Sequence, residues 1–444
     1  MNREDFIALL SPEGQQLLAR VDYDSKTDVV KLVSHLRAEG FDPALVAAVL
    51  TQAKLRRRAT AKFGEFAQRM IFTEPGLEQA SRLSVAALHA GRFKNAGVST
   101  VADLGCGIGT ESLAFASVDL KVSAFDLDEV TAAVATYNLN IFDNAFVDQA
   151  DVTTLDLNEY DAIFFDPARR DLSAAKGERA IRKFDPSQFA PNFDWVVEQC
   201  KQHVAGSGGA SGAAWDGSSG AASGASSAKG TPRAAGIKLG PGHPHEAIDD
   251  SAEAQWVSVN GDLVELSLWF GAAARPNVKR SALLIDGAGK HHEITSDSTT
   301  RLDAAYGELG EYIYEPDNAI IRSHLLGQLA NELGLHIFAN QIAYLSGGSG
   351  DGSAGVGAEG ASAIKSPWLK GYRVIDNLTF DRKKLKAYLR ERNIGTLEIK
   401  KRGSDVVPEQ LRKEMALKGE GAATLIVTRV GDAHRVLVTQ PLAN

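Results

Sequence analysis

The sequence is poor in cysteine, in net positive charge and in long apolar runs. Only two cysteines, Cys106 and Cys200, occur among 444 residues, which excludes a disulfide framework and a four-thiolate metal site. No segment approaches the roughly 18 uninterrupted apolar residues of a membrane span, and the acidic N-terminus lacks the apolar core of a signal peptide. The ten histidines show no paired metal-ligand spacing. We therefore expect a reduced, cytoplasmic protein that binds neither a membrane nor a metal.

The net charge of −8 conceals an uneven distribution. Residues 372–444 contain 15 Lys and Arg against 9 Asp and Glu, whereas the rest of the chain carries a net charge of −14. A second basic run, residues 54–69, has six basic residues and one acidic residue. Both runs are candidate phosphate-binding surfaces because the location of positive charge matters more than its sum. The alternative is that both are solvated helix faces.

Two low-complexity segments divide the chain. Residues 206–236 contain 25 Gly, Ser or Ala among 31, and residues 346–363 contain 15 among 18. Such composition buries too little apolar surface to offset the entropy of ordering, so both segments are predicted to be flexible insertions. Around them we predict a helical domain over 1–95, an α/β domain over 96–271, an α+β connecting region over 272–371 and a small C-terminal domain over 372–444.

The hydrophobic periodicity changes near residue 98. Before it, apolar residues at three-to-four spacing predict helices over 5–21, 27–40, 43–59 and 75–93. After it, four short apolar segments alternate with helical patterns, which indicates βαβ units and a parallel sheet. Strands at 236–242, 255–261 and 262–271 follow, the last two joined by a hairpin turn. Further along, residues 316–335 predict one helix, and the C-terminal region follows a βαβαββ order.

The most informative segment is a glycine-rich turn after the first of these strands. Gly105, Gly107 and Gly109 allow a ligand to approach the backbone at the start of a helix. A dinucleotide-binding G-x-G-x-x-G motif requires a third glycine where Thr110 stands. Asp103 precedes the turn and would repel a pyrophosphate, whereas it would attract an ammonium group.

Acidic residues also end the other predicted strands. Asp126 is placed to accept the two hydroxyls of a ribose, and Asp151 with Val152 is placed to hold an adenine. Asp166 ends the fourth strand. Four acids in register favour a ligand site, although each could instead be an ordinary turn residue.

These features resemble the class I S-adenosylmethionine (SAM)-dependent methyltransferases. The resemblance implies an α/β fold with a Rossmann-like class I methyltransferase sheet, and SAM as the cofactor. Segment 72–81, FTEPGLEQAS, is similar to the helix that closes over the methionine end of SAM in bacterial members with a C-terminal THUMP-like domain. The cofactor contacts thereby implied are Thr73, Gln79, Asp103, Gly105, Cys106, Gly107, Gly109, Asp126, Leu127, Asp151 and Val152.

The fourth strand ends in the sequence DPARRD, residues 166–171. It resembles the Asn/Asp-Pro-Pro-aromatic motif of amino-group methyltransferases, but Ala168 replaces the second proline and Arg169 replaces the aromatic residue. Arginine stacks on bases and pairs with phosphate; alternatively, Arg169 pairs with a nearby aspartate. The predicted catalytic residues are Asp166, Pro167 and Arg169.

The C-terminal region carries the rest of the resemblance. Segments 398–403, 411–413 and 425–429 are similar, in that order, to the THUMP-like domain of the same group. The expected architecture therefore includes an N-terminal helical domain and C-terminal α+β domains, one ferredoxin-like and one THUMP-like. THUMP domains bind RNA, which implies a tRNA or rRNA partner. Its predicted contacts are Arg56, Arg57, Arg58, Lys400, Lys401 and Arg402.

The function predicted from the sequence is SAM-dependent methylation of RNA, with a base amino group as the favoured acceptor. Carbon-5 methylation of a pyrimidine would need a nucleophilic cysteine, and Cys106 and Cys200 are interpreted as packing residues. Two alternatives remain. One is a non-catalytic RNA-binding protein on a methyltransferase scaffold, and the other is a methyltransferase acting on a protein or a small molecule.

Overall fold

The computed structural model describes residues 1–24, 26–167, 189–206, 212–214, 223–225, 232–347 and 363–442. The chain divides into two compact units. Unit 1 comprises Met1–Ala252 and Ser267–Pro276, and unit 2 comprises Glu253–Leu266 and Asn277–Asn444. Each unit is therefore built from two stretches of chain, whereas the sequence predicts four successive domains.

Unit 1 begins with helices, as the periodicity predicts. Its described helices are α1 (Arg3–Leu10), α2 (Pro12–Arg20), α3 (Val29–Ala38), α4 (Pro43–Phe63), α5 (Glu74–Gln79), α6 (Leu83–Asn95), α7 (Thr110–Ser117), α8 (Glu129–Leu139) and α9 (Phe193–Ala205). The single helix predicted over 5–21 is two helices, because Pro12 lacks an N–H and Ser11 Oγ accepts a hydrogen bond from the Gly14 N–H at 3.0 Å.

A parallel sheet forms the centre of unit 1. The strands described in residues 1–252 are β1 (Thr100–Leu104), β2 (Lys121–Asp126), β3 (Ala145–Gln149), β4 (Ala162–Phe165), β5 (Gly212–Ala214), β6 (Ser223–Ala225) and β7 (Ala234–Leu239), of which β5 and β6 form a separate pair. The order β7-β4-β1-β2-β3 is parallel throughout, and β5 pairs with β6 antiparallel. The parallel sheet is confirmed, and the carboxyl ends of β1, β2 and β4 lie along one edge.

An aromatic cluster holds α6 and α7 against this sheet. Phe93 contacts Phe115, Phe164 and Trp269, with ring centroids 5.4, 6.1 and 5.7 Å apart. All four rings are at most 1% exposed. Burying each ring contributes on the order of 2–3 kcal/mol, so the frame beneath the strand ends is rigid.

Strand β9 (Asp262–Gly271) has residues in both units. In unit 2 it follows β8 (Glu253–Val259) after a two-residue turn, in which Asn260 and Gly261 have φ of 55° and 85°. The two strands are neighbours in the sheet, so the predicted hairpin is confirmed. Strand β10 (Arg280–Ile285) pairs parallel with β8 and antiparallel with β11 (His291–Ser296).

A second sheet of unit 2 contains the C-terminal region. Its elements are β12 (Tyr312–Pro316), α10 (Asn318–Arg322), α11 (Leu326–Leu333), β13 (His336–Ile337), β14 (Leu345–Gly347), β15 (Leu369–Thr379), α12 (Arg382–Glu391), β16 (Ile394–Lys401), α13 (Pro408–Met415), β17 (Gly421–Val430) and β18 (Ala433–Pro441). The strand order is β13-β14-β12-β15-β18-β17-β16. The βαβαββ order predicted for the C-terminus is confirmed.

Several predicted boundaries differ from the structure. The helix predicted over 75–93 is two helices, because α5 ends at Gln79 and α6 begins at Leu83. The helix predicted over 316–335 is broken by His324, which has φ of 63°. Residues 234–236 belong to β7 and residues 346–347 to β14, so these ends of the two predicted flexible insertions are strands. Strands β5 and β6 also lie within the first predicted insertion. The described strands of region 272–371 divide between the β8–β11 group and the second sheet. No helix in the described ranges is long and apolar enough to span a bilayer.

Candidate functional site

The glycine turn joins β1 to α7 in a conformation that favours glycine. Gly105, Gly107 and Gly109 have φ of 90°, 57° and 83°, values that other residues rarely adopt. A Cβ on Gly105 would lie 3.0 Å from the main-chain oxygen of Asp166. The turn and the end of β4 are therefore in direct contact.

Asp103 lies beneath the turn and is completely buried. Its Oδ2 accepts a hydrogen bond from Ser112 Oγ at 2.5 Å, whereas Oδ1 has no hydrogen-bond partner among the described residues. Burial raises the pKa of Asp103 to about 7, against the hydrogen bond from Ser112, and the carboxylates of Glu111 and Asp166 raise it further. A buried acceptor of this kind suits an ammonium group.

Asp126 ends β2 and faces the same turn. Its carboxylate accepts hydrogen bonds from the N–H groups of Gly107 and Asp128, both at 3.0 Å, and burial raises its pKa above the ordinary value. A carboxylate has about four acceptor positions, so two hydroxyls fit beside these donors. Leu127 follows with 68% of its surface exposed, which leaves an apolar face for a base.

Asp151 occupies a different environment from the other strand-end acids. It is exposed, and its Oδ1 accepts hydrogen bonds from the N–H and hydroxyl of Thr153 at 2.9 and 2.7 Å. These bonds hold the pKa of Asp151 below its ordinary value. Val152 is buried at the start of a short 3-10 turn.

Helix α5 packs onto the glycine turn. Thr73 Oγ1 caps the helix by accepting from the Gly76 N–H at 3.0 Å. A Cβ on Gly76 would lie only 2.4 Å from Ile108 Cγ2, so glycine is needed for this approach. At the other end of α5, Lys62 Nζ donates to the carbonyls of Leu77, Glu78 and Ala80 at 2.8, 3.1 and 2.6 Å.

Side chains from α4 and α8 fix the segment that leads into α5. Gln52 bonds both the N–H and the carbonyl of Phe72, at 3.0 and 2.6 Å. Asn138 does the same for Ile71 and also donates to the Ile108 carbonyl at 2.9 Å. The glycine turn and the approach to α5 are thus positioned by one set of buried amides, none of which the sequence singled out.

The end of β4 holds a pair that the sequence analysis missed. Asp166 Oδ2 lies 2.5 Å from the Nζ of Lys238, a buried residue of β7. The only signal in the sequence is one lysine inside an apolar strand, since a lysine is rarely buried without a partner. Arg169, the third predicted catalytic residue, lies outside the described residues.

The chemistry of the two cysteines agrees with their interpretation as packing residues. Both are buried. Burial raises the pKa of each thiol well above its ordinary value, so neither is an activated nucleophile. Within the described ranges, no group of three or more His, Cys, Asp or Glu side chains is arranged to hold a metal.

Four of the six residues predicted to contact RNA have partners within the protein. Arg56 Nε donates to the Met70 carbonyl at 2.9 Å, and Arg58 forms an ion pair with Glu74. The other two pairs are in unit 2. Lys400 Nζ lies 2.8 Å from Glu315 Oε2, and Arg402 Nη1 donates to the Ala343 carbonyl at 2.5 Å.

Arg57 and Lys401 are exposed. The two basic runs are therefore partly structural, and neither is simply a solvated surface.

Comparison with known proteins gives the class. Two Mycobacterium tuberculosis proteins, from strains CDC 1551 and H37Rv, are each named an uncharacterized SAM-dependent methyltransferase. Each is 26% identical over 389 residues, covering 85% of this chain and 91% of the relative. Residues 369–441 match the family described as THUMP domain-like, and residues 2–59 match a domain of unknown function, DUF8688.

A solved structure shares the fold. The crystal structure of a protein from Porphyromonas gingivalis W83, described as a methyltransferase, has a TM-score of 0.64 with 17% identity, covering 96% of this chain and 100% of that chain. The chain is a SAM-dependent methyltransferase with a C-terminal THUMP-like domain. The class and cofactor predicted from the glycine turn and the strand-end acids are confirmed.

The contact between α5 and the glycine turn gives a first prediction. Gly76→Ala should weaken SAM binding about tenfold or more, because the new methyl group forces α5 away from Ile108. Gly91→Ala in α6 is the matched control, since a Cβ there meets nothing within 4 Å; it should leave binding unchanged. Calorimetric titration with SAM measures both, and equal affinities would show that α5 does not contribute to the cofactor site.

Proposed function

We propose that the protein methylates RNA, tRNA or rRNA, at an exocyclic amino group of a base. The observation that carries this proposal is the contact between Asp166 and the glycine turn, where a Cβ on Gly105 would be 3.0 Å from the Asp166 carbonyl. A methyl donor on the turn and an amine held by Asp166-Pro167 would then be neighbours. Alignment of such reactants supplies much of the catalysis in a displacement reaction.

The residues around the turn fit SAM. The unpartnered Oδ1 of Asp103 suits the ammonium of the methionine moiety, and the carboxylate of Asp126 suits the ribose hydroxyls. The exposed Leu127 would cover the adenine. The remaining proposed contacts are Thr73, Gln79, Gly105, Cys106, Gly107, Gly109, Asp151 and Val152.

Bound SAM supplies an activated methyl group on a sulfonium. The protein's part is to present the nucleophile. The Asp166 carboxylate accepts an N–H of the amine and orients its lone pair, and it stabilises the positive charge that develops on nitrogen. Pro167 fixes the backbone at this edge, and Arg169 is the proposed stacking or phosphate contact.

The proposed RNA surface is the helical face of the THUMP-like domain. Leu385 and Leu389 of α12 are buried in the core of this domain, whereas Lys383 and Lys384 in the first turn of the helix are exposed. The Asp381 carboxylate at the start of α12 accepts a hydrogen bond from the Lys384 main-chain N–H at 2.9 Å. Lys413 is exposed as well, and none of these three ammonium groups forms an ion pair among the described residues. Such ammonium groups bind phosphate without losing an internal ion pair. Lys401, also exposed, extends the proposed contact set within unit 2. Arg57, exposed in unit 1, is a separate proposed contact.

Charge reversal on this face tests the RNA surface. Lys383→Glu with Lys384→Glu should weaken RNA binding by about tenfold or more and reduce the salt slope by about two. Lys400→Glu is the contrasting variant: because Lys400 pairs with Glu315, it should destabilise the fold more than it changes the salt slope. Filter binding at several salt concentrations and thermal melting separate the effects, and an unchanged slope in the double variant would exclude α12.

Methyl transfer itself is tested with RNA that lacks the modification. The full chain is incubated with methyl-labelled SAM and total RNA from a deletion strain, and the nucleosides are analysed by mass spectrometry. We expect one methylated base with the label on an amino nitrogen. Label in protein or small molecules, but not in RNA, would favour a methyltransferase that acts on a protein or a small molecule. SAM binding without transfer to any acceptor would favour a non-catalytic scaffold.

A further inference from the structure

Lys238 is a buried charged residue close to Asp166, where the methyl acceptor is proposed to bind. It occupies the carboxyl-terminal half of β7, where every residue is buried, and only 5% of its side chain is exposed. An ammonium group in such a place is costly unless it is paired and hydrogen-bonded. A neutral apolar residue would fill the strand at lower cost, so the lysine calls for a function.

The contacts of its Nζ join three parts of the site. It lies 2.5 Å from Asp166 Oδ2 at the end of β4 and 3.8 Å from Glu111 Oε1 in α7. It also donates to the main-chain carbonyl of Gln79 at 3.3 Å. Lys62 holds the neighbouring carbonyls of Leu77, Glu78 and Ala80. Lys238 therefore connects the end of α5 directly to Asp166.

The network continues below Lys238. His89 Nδ1 lies 2.9 Å from Glu111 Oε2, and His89 Nε2 lies 3.3 Å from Ser267 Oγ. Both His89 and Glu111 are buried. This second layer holds Glu111 in place, so the ammonium of Lys238 has a fixed position between two carboxylates. Fixed supporting groups are what a precise site requires.

We infer that Lys238 is a positioning residue for methyl transfer: its ammonium holds the Asp166 carboxylate ionised and in one orientation, and ties it to the α5 segment that faces the cofactor. This inference rests on the proposed role of Asp166 in orienting the amine. No proton or bond changes hands at Lys238. Its effect is to fix where the acceptor oxygen lies when SAM and the amine are both bound.

The charged groups around Lys238 determine how pH should act. Asp166, Glu111 and the buried Asp103 supply negative charge from β4, α7 and β1, and Lys62 from α4 supplies positive charge. Arg82 faces Lys62, and His89 faces Glu111. If Lys238 is removed, the carboxylates lose their neighbouring cation, so Asp166 should take up a proton at a higher pH than in the wild type.

The test compares the variants Lys238→Met and Lys238→Arg with the control variant Lys121→Met. Lys121 is an exposed lysine of β2. With the RNA substrate identified by nucleoside analysis, we expect Lys238→Met to lower kcat by about 100-fold with a change in SAM affinity below about threefold. The acidic limb of its pH–rate profile should move up by at least about one unit. Lys238→Arg should restore part of kcat and the wild-type profile, and Lys121→Met should match the wild type.

A second readout does not need activity. The carboxyl carbon resonance of Asp166, assigned by its absence in Asp166→Asn, should titrate at a higher pH in Lys238→Met than in the wild type. Unchanged titration and unchanged kcat would overturn the inference, as would equal losses of kcat in Lys238→Met and Lys238→Arg with wild-type titration. A shifted titration in a protein that methylates no RNA would instead leave Lys238 in its role and reject the proposed substrate.

Discussion

Replacing Asp166 with alanine is expected to lower methyl transfer by about 10²- to 10⁴-fold, the range associated with the loss of a positioned polar catalytic group. The carboxylate interacts most strongly with the amine as positive charge develops on nitrogen, so its loss acts mainly on kcat. Single-turnover assays with saturating SAM and RNA measure the effect. A variant within threefold of the wild-type rate would show that Asp166 does not orient the nucleophile.

The control for this experiment follows from the Lys238 pair. Asp166→Ala alone leaves a buried ammonium without its nearest carboxylate, which is destabilising by on the order of 3–5 kcal/mol. The double variant Asp166→Ala with Lys238→Met removes both charges and should melt at a higher temperature than the single variant. If the double variant is stable and inactive, loss of chemistry and loss of folding are separated.

Much of the geometry of the proposed cofactor site was predictable because backbone geometry and sequence pattern coincide there. Asp103 and Asp126 each end an apolar strand, and parallel strands bring their carboxyl ends to one edge. The glycines between them require positive φ. A short window of sequence contains each of these signals, so local reasoning was sufficient to find them.

The supporting residues were not predictable in the same way. Lys238 lies 72 positions after Asp166 in the sequence, and its role depends on the pairing of β7 with β4. Gln52 and Asn138 act through hydrogen bonds to the backbone of residues 71 and 72, far away in the chain. Nothing in the composition around such residues marks them, because their function is set by tertiary packing.

The two basic runs show that sequence alone overestimates the number of phosphate contacts. Sequence counts treat every Lys and Arg as a potential phosphate contact, yet Arg56 and Lys400 each bond a specific group within the protein. Solvent exposure distinguishes the basic side chains that can contact phosphate from those that bond within the protein. On α12 the alternation of buried leucines with exposed lysines could have been read from helical spacing, whereas the ion pair between Lys400 and Glu315 joins residues 85 positions apart.

Replacing Asp103 with asparagine is expected to reduce SAM affinity by about 100-fold or more, because the buried acceptor of the methionine ammonium loses its charge. Asparagine has nearly the same shape, and its carbonyl can still accept the Ser112 hydroxyl. The loss of affinity would therefore report on charge and not on packing. Calorimetry with SAM and S-adenosylhomocysteine measures it, and wild-type affinity in the variant would remove Asp103 from the cofactor site.

The pH dependence of the same residue gives an independent check. Burial places the pKa of Asp103 at about 7, so binding of an ammonium should release a proton. SAM affinity should rise about fivefold from about pH 6 to about pH 7.5, a range in which the α-amino group of SAM is still mostly protonated. In the unliganded protein, pH acts in the opposite direction, because a rise in pH destabilises the fold. A carboxyl group whose pKa is raised by folding makes its full contribution to stability at pH values below its unfolded-state pKa. That contribution to stability is lost as the pH rises through about 7, the folded-state pKa.

The free energy of unfolding of the wild-type protein should accordingly fall by about 1.4 kcal/mol between pH 6 and pH 8 because of this residue. The Asp103→Asn variant should not show this decrease. Thermal melting of both proteins at the two pH values measures the difference. If their melting temperatures change in parallel and SAM affinity is independent of pH, Asp103 is already ionised in the unliganded protein, and its charge is balanced by a group other than the cofactor. If only the wild type loses stability at pH 8, the buried carboxyl is kept at an energetic cost that SAM binding offsets.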